Sequence, residues 1–140
     1  RVGLVPSSVK ELVAHGHKVI IETQAGAGIN FTDDDYRKAG AEIVKTAKEI
    51  FDRADMVIKV KEPQPQECRM LRPGQVLFTY LHLAADPEQT AALIKSGSID
   101  IAYETVTGPD GRGLPLLAPM SEVAGRLSVI VGSHYLQKHM

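Results

Sequence analysis

The 140-residue chain has a single cysteine, Cys68, no tryptophan, and only 5% aromatic residues. One thiol cannot form an internal disulfide or a Cys-rich zinc site, and it fits a reducing compartment such as the cytoplasm. An excess of charge of one sign is also missing: 16 Lys and Arg stand against 17 Asp and Glu, for a net charge of -1. Without a basic surplus there is no electrostatic footprint for a nucleic-acid backbone. No apolar run approaches the roughly 20 residues that a membrane helix needs. Repeats and low-complexity tracts are absent as well. What is present is 44% hydrophobic and 24% charged residues, the balance of a chain that buries a core rather than staying disordered. The length suits one domain, at about 150 residues per domain. Both ends read as interior to a longer protein. The opening Arg1-Val2-Gly3-Leu4-Val5 meets Pro6 at once, too short for a signal peptide, and the closing helical stretch reaches Met140 with no Gly, Asn or Pro to stop it.

Short apolar runs alternate with helical segments along the whole chain. Pro6 opens a helix carrying Val9, Leu12 and Val13 on one face, ended by Gly16. β-branched residues then mark a strand over 18–22. A Gly-rich loop over 24–31 leads to Thr32, the expected N-cap of a helix over 33–39 whose first turn is acidic. A strand over 42–44 and a helix over 47–53, capped by Thr46, come next. Strands follow over 56–60, 76–80 and 99–103. A short helical crossover over 65–71 separates the first two of these. A helix from Asp86-Pro87 to Ile94 precedes the third, and a final helix spans 119–140. Such alternation predicts an α/β fold: a Rossmann-like, mostly parallel sheet with helices on both faces. The division expected is a main domain over 1–118 and a helix over 119–140 that leads away from it.

In open parallel sheets, ligands sit at the edge where the strands end. The strand over 56–60 runs into Lys61-Glu62-Pro63, and the strand over 76–80 runs into Leu81-His82-Leu83. The connection between them is near the minimum for a parallel crossover, so the two strands are expected side by side. Lys61 and His82 then emerge at one rim. Lys61 offers a cation for a carboxylate or a polarised carbonyl, and His82 a group that moves protons at neutral pH. On pattern alone each residue also fits a plainer role, Lys61 solvated and His82 satisfied in the core. Lys59 shares a face with Lys61 by the strand period and is expected toward an edge, its stem snorkelling.

Other motifs carry less. Gly26-Ala27-Gly28 suggests a dinucleotide loop, but Phe31 stands where the third glycine belongs and no helix opens directly after it. Asp33-Asp34-Asp35 is accounted for by a helix N-terminus rather than by calcium, since no EF-hand spacing follows. Cys68, in the polar run Gln64-Pro65-Gln66-Glu67-Cys68-Arg69, reads as an ordinary helix or loop cysteine.

Three stretches resemble the alanine dehydrogenase family: Lys59-Val60-Lys61-Glu62-Pro63; Tyr80-Leu81-His82-Leu83-Ala84-Ala85; and Leu114-Pro115-Leu116-Leu117-Ala118-Pro119-Met120-Ser121-Glu122-Val123-Ala124-Gly125-Arg126. The opening Arg1 to Pro6 and Gly26-Ala27-Gly28 match in order and spacing, so the resemblance covers essentially the whole chain. It implies an NAD-dependent cytoplasmic oxidoreductase that interconverts L-alanine with pyruvate and ammonium, usually as a homohexamer, with no nucleic acid or membrane as partner. It further implies that Arg1 holds the substrate carboxylate, that Lys61 contacts pyruvate, that His82 is the acid/base, and that Ser121 touches the cofactor. Glu104 falls where some members hold a divalent ion; no other metal residue is implied. The family's NAD-binding domain and the catalytic aspartate it contributes are not in these 140 residues, so the expected role is an incomplete catalytic domain, inactive alone. Two alternatives stand beside this one. The alpha subunit of proton-translocating NAD(P) transhydrogenases shares the layout but lacks the Lys-Glu-Pro and Leu-His-Leu-Ala pieces. A non-enzymatic α/β binding module is the other.

Overall fold

A computed structural model describes residues 2–137. Among them, helices and strands alternate in the order α1 (Pro6–Ala14), β1 (Ile20–Glu22), α2 (Asp33–Lys38), β2 (Glu42–Val44), α3 (Ala47–Arg53), β3 (Met56–Ile58), α4 (Pro65–Cys68), β4 (Val76–Thr79), α5 (Pro87–Ser96), β5 (Ile99–Ala102) and α6 (Ala118–Leu136). None of these helices is long and apolar enough to cross a membrane. The expected start signals do their work. Thr32 and Asp35 form a reciprocal capping box on α2, and the Thr46 hydroxyl accepts from the Glu49 amide. Asp86 caps α5 by accepting from the Gln89 amide at 2.9 Å, and Gly97 ends that helix with φ 71°.

All strand pairs are parallel, as expected, but they fall into two sheets: β1-β2, and β3-β4-β5. Apolar runs tell which segments are strands, not which of them become neighbours. Each sheet has its own core. Over the first, Val9 of α1 and Tyr36 of α2 pack with Ile21 and Ala41. Over the second, Phe51 of α3, Cys68 of α4 and Leu93 of α5 close on Val57, Leu77 and Ala102. These three sheet residues alternate with Met56, Ile99 and Ile101, which point to the other face and are exposed.

The chain divides into two compact units, the first ending at Ala102 and the second beginning at Tyr103. The division expected at 118/119 marks the start of α6 instead. In the second unit, a turn closed by the Ala118 amide on the Leu114 carbonyl at 2.8 Å leads into α6. No described residue of α6 is buried.

Candidate active site

The β3-β4 ladder runs on past its last regular pair. The Lys59 amide donates to the Phe78 carbonyl at 3.0 Å and the Tyr80 amide to the Val60 carbonyl at 3.4 Å. Thr79, fully buried on β4, donates its hydroxyl to the Lys61 carbonyl at 2.9 Å. The exit of β3 is thereby tied to β4 up to the residue that carries the ammonium. Pro63 stiffens the next step, because its ring holds φ. On the other strand, the turn after Tyr80 is pinned by α5. Gln89, itself buried, donates from Nε2 to the Leu81 carbonyl at 2.7 Å, and Thr90 donates to the Leu83 carbonyl at 3.1 Å.

Between these anchors His82 adopts φ 50° and ψ 39°, the left-handed region that residues with a Cβ seldom enter. A conformation of this kind persists only where its surroundings hold it, and such positions gather at functional sites. Its ring stacks on Tyr80, with centroids 6.2 Å apart and planes 29° from parallel. The expected convergence of Lys61 and His82 takes a definite form: both reach the same carboxylate. Lys61 Nζ lies 3.2 Å from Glu62 Oε1, and His82 Nδ1 lies 3.5 Å from Glu62 Oε2. Lys61 and His82 keep about half of their side-chain surface exposed, whereas Glu62 keeps 30%. The carboxylate is thus the inner member of the trio. Its own backbone amide holds the Glu62 carboxyl below the usual carboxylate range, and Lys61 and His82 act in the same direction against partial burial. An ammonium, an imidazole and an ionised carboxylate at one open rim can bind an anionic or carbonyl-bearing small molecule and move a proton on it.

Glu62 is the residue that sequence reasoning missed. Strand period places Lys61 but says nothing of how a side chain beyond the strand turns. The available signal was an acid fixed between a rim lysine and a proline. Lys59 also differs from expectation. β3 is an edge strand of its sheet, but Lys59 pairs with Glu67 of α4 rather than snorkelling to water, and only 23% of its side chain is exposed.

Arg1 is outside the described residues. Glu104 lies in the short turn Tyr103–Thr105, and Ser121 in the first turns of α6, both in the second unit. Among the described residues no group of three or more His, Cys, Asp or Glu is arranged to hold a metal ion. The glycine loop has a structural reason of its own. A Cβ on Gly26 would lie 2.7 Å from the Tyr36 ring and 2.9 Å from the Phe31 carbonyl oxygen, so the residue is small to admit Tyr36. Cys68 is buried with Sγ 3.8 Å from the Pro63 carbonyl, and burial pushes its thiol up, away from the reactive thiolate. A cleft of about 710 Å³ opens between α4 and α5 beside Pro63, Cys68 and Gln89, but Lys61 and His82 do not line it.

A parallel α/β domain with charged chemistry at its carboxyl edge is the class these observations define. The chain belongs to the alanine dehydrogenase/PNT family, whose N-terminal-domain model matches residues 1–124. It is 54% identical over 138 residues to the alanine dehydrogenase of Methanococcus maripaludis and 53% to that of Bacillus subtilis. Staphylococcus aureus alanine dehydrogenase 2 is 58% identical over the same length. Each match takes in 99% of this chain but only 36 or 37% of the relative. Among solved structures, an L-alanine dehydrogenase superposes with TM-score 0.88 at 57% identity, covering 97% of this chain and 37% of that one. A transhydrogenase from Sinorhizobium meliloti gives 0.69 at 32% identity over 74% of this chain and 30% of its own.

Proposed function

We propose that this chain is the keto-acid-binding part of an NAD-dependent L-alanine dehydrogenase, a cytoplasmic homo-oligomer that interconverts L-alanine with pyruvate and ammonium. The observation that carries the reading is the meeting of Lys61 and His82, from adjacent strand exits, on one carboxylate. Lys61 hydrogen-bonds the keto oxygen and offsets the negative charge that develops there. His82 passes the proton as the carbinolamine forms or collapses, an assignment supported by its exposed ring on a pinned turn. Arg1 holds the substrate carboxylate through a two-pronged pair, a role that rests on the family resemblance. NAD supplies the hydride acceptor when bound. Of this chain, Ser121 would touch it, and its exposure in α6 fits that contact, whereas the crowded Gly26 loop does not fit a dinucleotide.

The test uses the full-length protein, with NADH oxidation followed spectrophotometrically. Oxidation should require both pyruvate and ammonium, and His82→Ala should lower kcat about a hundredfold or more. Hydride exchange between nucleotides that ignores pyruvate would favour the transhydrogenase account. Near-normal turnover by His82→Ala would remove the histidine from the chemistry.

A further inference from the structure

Glu62 is the inner group of the rim, and one of its two oxygens is left over. Oε2 is buried at the atom level and accepts no hydrogen bond, although His82 Nδ1 stands 3.5 Å away. A covered carboxylate oxygen without a donor is costly, so the arrangement favours the state in which the imidazole carries its proton on Nδ1 and turns it toward that oxygen. Oε1 is taken up by the Lys61 ammonium at 3.2 Å. The backbone on both sides is restrained: Pro63 follows Glu62, Thr79 holds the Lys61 carbonyl, and Gln89 holds the carbonyl just before His82.

We propose that Glu62 is the positioning residue of this site, its two oxygens orienting the Lys61 ammonium and selecting the Nδ1-protonated tautomer of His82, so that Nε2 is the nitrogen presented to the reacting substrate. This deepens, and rests on, the alanine dehydrogenase reading. The carboxylate acts through its neighbours and touches no reacting atom. Two acceptor oxygens are what the role requires. In Glu62→Gln the amide keeps the shape but has one acceptor. If Lys61 takes that oxygen, the NH₂ group faces His82 and selects the opposite tautomer.

Two measurements on the full-length protein test this. The first is ligand-free ¹⁵N–¹H correlation on histidine-labelled protein at a pH where the ring is neutral. The wild-type His82 signal should show the proton on Nδ1, and Glu62→Gln should move it to Nε2. A wild-type ring already protonated on Nε2 overturns the proposal, whatever the protein catalyses. The second is steady-state kinetics. Glu62→Gln should lower kcat for pyruvate amination by about tenfold or more with the KM for NADH unchanged, and Glu62→Asp, which keeps both oxygens, should recover part of the loss. Because the carboxylate works partly through the histidine, Glu62→Gln should cost less when added to His82→Ala than it costs alone, the remainder being its hold on Lys61. A Glu62→Gln enzyme within twofold of wild type overturns the proposal, and so does a full additional loss in the double variant. Failure of the wild-type protein to aminate pyruvate would instead overturn the parent reading, with the tautomer result still standing.

Discussion

The two sheets are built from the same strand-helix-strand unit, yet their carboxyl edges use polar groups in opposite ways. After β1, the Thr23 hydroxyl and the Gln24 amide both donate to Asp33, at 2.6 and 2.8 Å. After β2, the Lys45 amide and the Thr46 hydroxyl both donate to Glu49, at 3.2 and 3.1 Å. Each acid there is consumed in tying down a loop or a helix start. After β3 and β4, Glu62 instead engages an ammonium and an imidazole, each on a half-exposed side chain. A sheet edge whose acids hold backbone is finished as structure. One whose acid holds exposed side chains keeps groups that a ligand can reach.

The largest expected effect separates core from rim in the second sheet. Leu77 is fully buried on β4, beneath the helices and on the same face as Val57 and Ala102. Leu77→Ala should cost about 3 to 5 kcal/mol through lost burial and a residual cavity. Denaturant unfolding measures it directly. Catalysis per folded molecule should fall as well, because β4 carries Thr79 and the turn to His82. A cost below about 1 kcal/mol would mean that this core is loosely packed.

A smaller effect tests the first sheet. Gly26→Ala forces a Cβ against the Tyr36 ring and the Phe31 carbonyl, closer than such contacts normally come. The price is about 1 to 3 kcal/mol of overpacking. Since this edge is read as structural, the KM for NADH should not change. A large rise in that KM with stability intact would return the loop to nucleotide binding.

Much of this was legible beforehand, for identifiable reasons. Apolar runs bounded by Gly, Pro and Asp place each strand to within a few residues, and Thr32, Thr46 and Asp86 announce the helix starts that they cap. Lys61 and His82 could be set at one rim because a short parallel crossover leaves little choice of neighbour. The left-handed turn at His82 could not be read, since Leu81-His82-Leu83 carries no Gly or Asn and the modest preference of His for φ above zero does not single out one position. The Lys59–Glu67 pair was hidden because its members lie on different elements joined by a proline-rich turn. The separation into two sheets was hidden because it depends on which ladders align in space.

The subtlest contrast between the sheets is in acid. Asp33 and Asp35 are held below the usual carboxylate range by hydrogen bonds from Thr23 and Thr32 respectively, and Glu42 by its pair with Arg53. A carboxyl depressed in the folded state contributes stability that is whole above its unfolded value. That contribution drains away as pH falls below about 4, through the folded value. Asp100 on β5 has the opposite sign: burial raises its carboxyl, against one hydrogen bond from Ser98. Its ionised form is penalised by folding, so the cost is complete above the raised value and is lifted as pH falls. Glu62 shares the sign of the first group but sits past the last ladder bond. Between pH 7 and pH 3, amide protection corrected for intrinsic exchange should therefore fall more across α2, β1 and β2 than across β4 and β5. Asp100→Asn should narrow the gap by removing the gain on the second side. Equal loss of protection in both sheets would show that acid acts on the chain as one cooperative unit, and that the division of polar work between the two edges has no energetic counterpart.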